Sequence, residues 1–152
     1  MRRAPTRDPR AQECPGFAAH FARLIANTTT IRKLALTGGT ITESTAPTFC
    51  AGIAANRTLV ELDVSHNWVG DVVEDRMTLD LCEAVKQNAS IERLCLVCMI
   101  SDDDGATRVA TILRDAPVLR ALEVKESWNF KTRGFDALRE SVRELTVVTD
   151  EF

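Results

Sequence analysis

Leu59-Val60-Glu61-Leu62-Asp63-Val64-Ser65-His66-Asn67 reads L-x-x-L-x-V-x-x-N. This is the strand signature of a leucine-rich repeat. Alternation along a strand sends Leu62 and Val64 inward and leaves Glu61, Asp63 and Ser65 on the opposite side; Leu59, at the first place of the pattern, points inward where the chain enters the strand. Asn67 closes the pattern, where its amide can bond neighbouring backbone. The same spacing returns as Ile31, Leu34, Leu36; as Ile91, Leu94, Leu96; as Leu119, Leu122, Val124; and, more loosely, as Val142, Leu145, Val147. The first places fall 28, 32, 28 and 23 residues apart. Three of these intervals lie near the leucine-rich period, and the longest is one repeat with a short insertion in the acidic stretch between residues 71 and 75.

Between these segments apolar residues recur at helical spacing. Phe17, Phe21, Leu24 and Ile25 mark a helix after Cys14-Pro15, where proline suits the first turn. Pro47 opens a second helix that turns Phe49 and Ile53 inward. A third runs from about Met77 to Gln87 with Leu81 and Val85 inward. Asp102 to Asp104 suit the positive end of a fourth helix carrying Val109, Ile112 and Leu113. A last helix begins near Gly134 and carries Leu138. Asn56 and Asn88 close two of the helices, each three residues before a strand pattern. The first helix is the back half of a repeat whose own strand is missing.

The expected fold class is therefore α/β. It is a leucine-rich-repeat solenoid of about four to five repeats, with a parallel sheet on the concave face and helices on the convex face. Residues 1–13, with four arginines, two prolines and no apolar run, read as a flexible basic leader; residues 14–152 form the repeat domain. Neither end carries a polar cap. The expectation is that the chain is a fragment of a longer solenoid, has unusual ends, or self-associates through them.

Composition narrows the function. Nearly half the residues are apolar and about a quarter charged, an ordinary globular balance. The formal net charge of −3 argues against nucleic acid as a partner. The longest apolar run, Leu94 to Ile100, is far too short to span a membrane. Five cysteines in irregular spacing suit reduced thiols, and hence a cytoplasmic protein, better than a disulfide framework.

At these strand motifs the chain resembles the ribonuclease-inhibitor-like leucine-rich repeats. They include ribonuclease inhibitor, the sensors of NLR-type receptors and the GTPase-activating protein for Ran. The resemblance implies a right-handed horseshoe with protein partners on its concave face. It departs at the asparagine ladder, where Gly39, Asn67, Met99 and Ser127 hold only one asparagine.

No catalytic motif occurs, so an enzyme is not expected, and neither is a cofactor or a metal. Cys95-Leu96-Val97-Cys98 is a C-x-x-C without a second Cys/His pair; on a strand its thiols point to opposite faces. His66 has no nucleophile placed beside it. The aspartates 102–104 lack the alternating ligands of a calcium loop.

The remaining candidates are partner-binding residues. Lys33, Glu61 and Arg93 alternate in sign on successive strands. Asp63, Glu123 and Lys125 share their face. The plain reading is a solubilising charged row; the sharper one is a pattern that selects a protein. Trp68, Ile100 and Trp128 hold one place just past three strands. Either each covers its own loop, or together they form an apolar rim of the kind enriched at interfaces. The expected function is a non-enzymatic protein-protein interaction module of unidentified partner. The alternative is a regulator of an enzyme, such as a GTPase-activating or ubiquitin-ligase adaptor component.

Overall fold

The computed structural model describes residues 15–67, 75–125 and 132–148. The basic leader expected over 1–13 lies outside them. Helices and strands alternate throughout. The order is α1 (Pro15–Asn27), β1 (Lys33–Ala35), α2 (Ala46–Ala55), β2 (Glu61–Asp63), α3 (Arg76–Gln87), β3 (Arg93–Cys95), α4 (Asp103–Leu113), β4 (Ala121–Lys125), α5 (Thr132–Ser141) and β5 (Glu144–Val148). The strands form one parallel sheet in chain order, β1-β2-β3-β4-β5. Each helix packs on the next, α1 on α2 through to α4 on α5. Among the described residues this is an α/β fold with five parallel strands and five helices.

The pairing register aligns the leucine motifs position by position. Leu34 faces Leu62, Leu62 faces Leu94, Leu94 faces Leu122 and Leu122 faces Leu145. Leu62, Leu94 and Leu122 are buried, whereas Leu34 and Leu145 on the edge strands are only partly covered. A strand–helix unit hides its apolar face only between two neighbours, and the edge strands have one each. Behind the sheet, Phe49, Ile53, Leu81, Val85, Val109, Leu113 and Leu138 complete a continuous core. Phe21 meets Phe49 edge-on at 5.8 Å. Gly52 lets α2 lie against α1: a Cβ there would come within 2.7 Å of the Ala22 carbonyl oxygen.

Buried asparagines tie the ends of α2 and α3 to the unit before each. Asn56 Nδ2 donates to the Ile25 carbonyl at 2.7 Å, and its Oδ1 accepts from Thr58 N and Leu59 N. Asn88 repeats this one unit on. It donates to the Ile53 and Asn56 carbonyls and accepts from Ser90 N and Ile91 N. Both side chains are fully buried, so these bonds replace the lost water.

Turn geometry repeats as well. Gly38, His66 and Cys98 hold the same place after successive strands, and all three have positive φ, at 71°, 58° and 58°. Only glycine enters that region freely; the other two are held there by the stack. Gly39 N donates to the His66 carbonyl, and His66 N donates to the Val97 carbonyl.

Two expectations need correction here. Cys98 is not on a strand: β3 ends at Cys95, and Cys98 sits exposed in the turn. Ile100 is not a rim residue. It is 8% exposed and belongs to the core, because the chain turns inward at Met99 before α4 begins.

Candidate protein-binding surface

Helices cover one face of the sheet; the other presents the alternate residues of every strand. Across it, Lys33 pairs with Glu61, Glu61 with Arg93, Arg93 with Ala121 and Ala121 with Glu144. The next row aligns Ala35, Asp63, Cys95, Glu123 and Thr146, and Lys125 faces Val148. The structure thus brings Lys33, Glu61, Asp63, Arg93, Glu123 and Lys125 onto one surface.

The charges are arranged rather than scattered. Lys33 Nζ meets Glu61 Oε2 at 2.7 Å. Arg93 reaches past β4 to Glu144 Oε2 at 3.8 Å. Two strand spacings are about 10 Å, a span that a guanidinium crosses only over a small residue. Ala121 is that residue. A shallow depression of about 60 Å³ lies there, walled by Glu61, Arg93, Cys95, Glu123 and Thr146.

Cys95 lies beside this depression, its Sγ 3.6 Å from Glu123 Oε2. Burial pushes its thiol up to about 12, and the carboxylates of Glu123, Asp63 and Glu61 push the same way. Reactive thiols need the opposite, an electropositive setting that stabilises thiolate. Cys50 is likewise raised to about 12, first by burial and then by Asp80, and burial raises Cys82 further. Among the described residues no three His, Cys, Asp or Glu side chains group as metal ligands do.

Just past the strands, Asn67 is buried and closes the unit. Its Oδ1 accepts from Ile41 N at 2.9 Å and its Nδ2 donates to the Leu36 and Val64 carbonyls. Its own N–H meets Met99 Sδ at 3.2 Å, so a thioether occupies the next rung of this ladder. Asp63 Oδ1 accepts from Ser65 N, and Ser65 Oγ from Val97 N, which fixes the strand ends. Trp68 and Trp128 lie outside the described residues. Ile100, the remaining member of that column, is buried. The structure therefore supplies a charged sheet face, and its described part carries no apolar rim at this position.

Sequence reasoning missed the reach of Arg93 to Glu144. The signal was present in the small Ala121 between Arg93 and Glu144 in one row, but only the register makes it legible.

No protein-family profile matches the chain. It is similar to tropomodulin-4 of Bos taurus, at 32% identity over 88 residues, or 58% of this chain. The match spans 25% of that relative's length. Among solved structures it is similar to the actin-binding site 2 of leiomodin-1. The TM-score is 0.64 at 14% identity, covering 84% of this chain and 76% of that one. At that identity the likeness shows the fold alone. These findings correct the resemblance drawn from the strand motifs. The similarity runs to tropomodulin and leiomodin, not to the ribonuclease-inhibitor-like repeats. The physical reason is that any stack of strand–helix units needs leucines at those places, so the motif reports the packing and not the lineage.

Among the described residues no helix is long and apolar enough to cross a membrane.

Proposed function

We propose that this chain is a protein-binding module whose ligand is actin, held on the open face of the parallel sheet. The observation that carries the reading is that open face: a sheet buried on one side and ordered in charge on the other, in the fold of a domain described as an actin-binding site. On this reading the leucine-rich strand–helix units act as a solenoid scaffold. Lys33, Glu61, Asp63, Arg93, Glu123 and Lys125 select the partner. Trp68 and Trp128, which follow β2 and β4 in the chain, serve as aromatic anchors for the partner. The module has no chemistry of its own and works in the cytoplasm.

The surface is too shallow for a small substrate and suits a protein. Charged groups at such a face set orientation and association rate more than raw affinity, and buried aromatic anchors supply the energy. Titration of the purified chain with monomeric actin, alongside co-sedimentation with filaments, tests the reading directly. Saturable binding to either form is the expected result. Binding to neither at micromolar concentrations contradicts it.

A further inference from the structure

Surface helices turn charged side chains to water. α3, α4 and α5 do so, with Asp80, Arg108 and Asp136 among their exposed residues. α2 does not. From Ala46 to Ala55 it has no charged residue, and its exposed positions are Pro47, Ala51 and Ala55. Beside them lie two depressions of about 250 and 260 Å³, which share Pro47 and Asp80 and so form one groove between α2 and α3. Ala46, Ala51, Ala54 and Ala84 give it a lining of small side chains. Its charged walls are Glu43, Asp80 and Glu83 against Arg76. Glu43, Asp80 and Arg76 form no ion pair among the described residues, and Glu83 lies 3.9 Å from Lys86 on its own helix. The groove is therefore apolar along its length and acidic at its walls.

We propose that the segment from Arg2 to Arg10 of this chain docks in the groove between α2 and α3. Its charge is the complement: Arg2, Arg3, Arg7 and Arg10 stand there against Asp8. Its remaining residues include Ala4, Pro5 and Pro9, which suit a lining of small side chains. The two prolines fix backbone torsions in advance and lower the ordering cost of docking. An apolar lining alone would take any small apolar chain; the acidic walls select a basic one.

The reach is sufficient. The strands are parallel and follow chain order, so the helices all start at one end of the stack. Packed helices lie about 8–10 Å apart, which puts the groove about 15 Å from the start of α1 at Pro15. Five extended residues span about 17 Å, so Arg10 arrives at Glu43 and Asp80. From there the groove follows α2 from Ala46 to Ala54, about 12 Å at the helical rise, and residues 2–9 are long enough to fill it. This surface lies among the helices, away from the open sheet face, and is independent of what binds there.

The test is amide NMR of the full chain in three forms: wild type, Arg2→Gln/Arg3→Gln/Arg7→Gln/Arg10→Gln, and Glu43→Gln/Asp80→Asn. Neutralising the arginines is expected to shift the Ala51, Ala54 and Ala84 amides. Neutralising the two carboxylates, both at exposed positions, is expected to shift the amides of residues 2–10 and to leave the melting temperature within a few degrees. Adding 1 M sodium chloride to the wild type shortens the screening length to about 3 Å and should reproduce both sets of shifts. The proposal is overturned if the groove amides are the same in the wild type and the arginine variant. It is overturned if the shifts fall on β2 to β4 instead, which would put the segment on the open sheet face. It is equally overturned if they grow with protein concentration, which would make the occupant a second copy.

Discussion

The two faces of this sheet are built from neighbouring residues and do opposite work. Leu62 is wholly buried, while Glu61 and Asp63 on either side of it stay partly open on the face that carries the charges. Leucine stacks on leucine across the covered face; on the open face Lys33, Glu61, Arg93 and Glu144 make ion pairs across strands. The difference teaches where sequence is constrained. The covered face must fill space at close packing. The open face must only keep its charges compatible, and is therefore free to encode a partner.

The comparison breaks most sharply at Leu62. Truncation to alanine removes a fully buried side chain between β2 and the helices, and is expected to cost about 2–5 kcal/mol by denaturant titration. A cost no larger than that of an open-face substitution would mean that the two faces do not differ. Asn88→Ala comes next. It strands the Ile53 and Asn56 carbonyls and two N–H groups, at about 1–3 kcal/mol for a buried group left unpaired. Asn88→Asp should also lose stability, because a carboxylate cannot donate to either carbonyl.

Cys95 sharpens the comparison, since it lies on the open face yet behaves as a buried thiol. Its folded value is near 12, against about 8.5 for an ordinary thiol. A raised value means that the native state holds the proton more tightly than the unfolded chain. The resulting stabilisation is fully present below the ordinary thiol value and is lost as pH rises through the folded one. Cys95→Ser should therefore flatten the alkaline fall in melting temperature above about pH 9. An unchanged alkaline limb would show that the thiol is more solvated than its neighbours imply. The smallest effect is expected at Lys33→Ala. That lysine is 76% exposed, and removing its pair with Glu61 should shift stability by less than about 1 kcal/mol.

The covered face was largely legible in the residues. The leucine spacing placed the strands, and alternation sorted Glu61 from Leu62 before any contact was known. Asn56 and Asn88 were legible as helix ends, because each stands three residues before a strand motif. Ile100 was misplaced because a column drawn at constant offset assumes that each strand leads out into the same loop. Met99 and Ile100 instead turn into the core, where a thioether stands in for an asparagine rung. The lineage was misjudged for a related reason: packing rules are shared by every such stack, so leucines at those places do not tell one stack from another.

The central claim is that the open face binds and the covered face only folds. It is tested most directly by measuring actin affinity and melting temperature together in Arg93→Glu/Glu123→Arg, which reverses two open-face charges on adjacent strands. The account predicts a loss of affinity of about tenfold or more with the melting temperature held within a few degrees of the wild type. Wild-type affinity in that folded variant would contradict it.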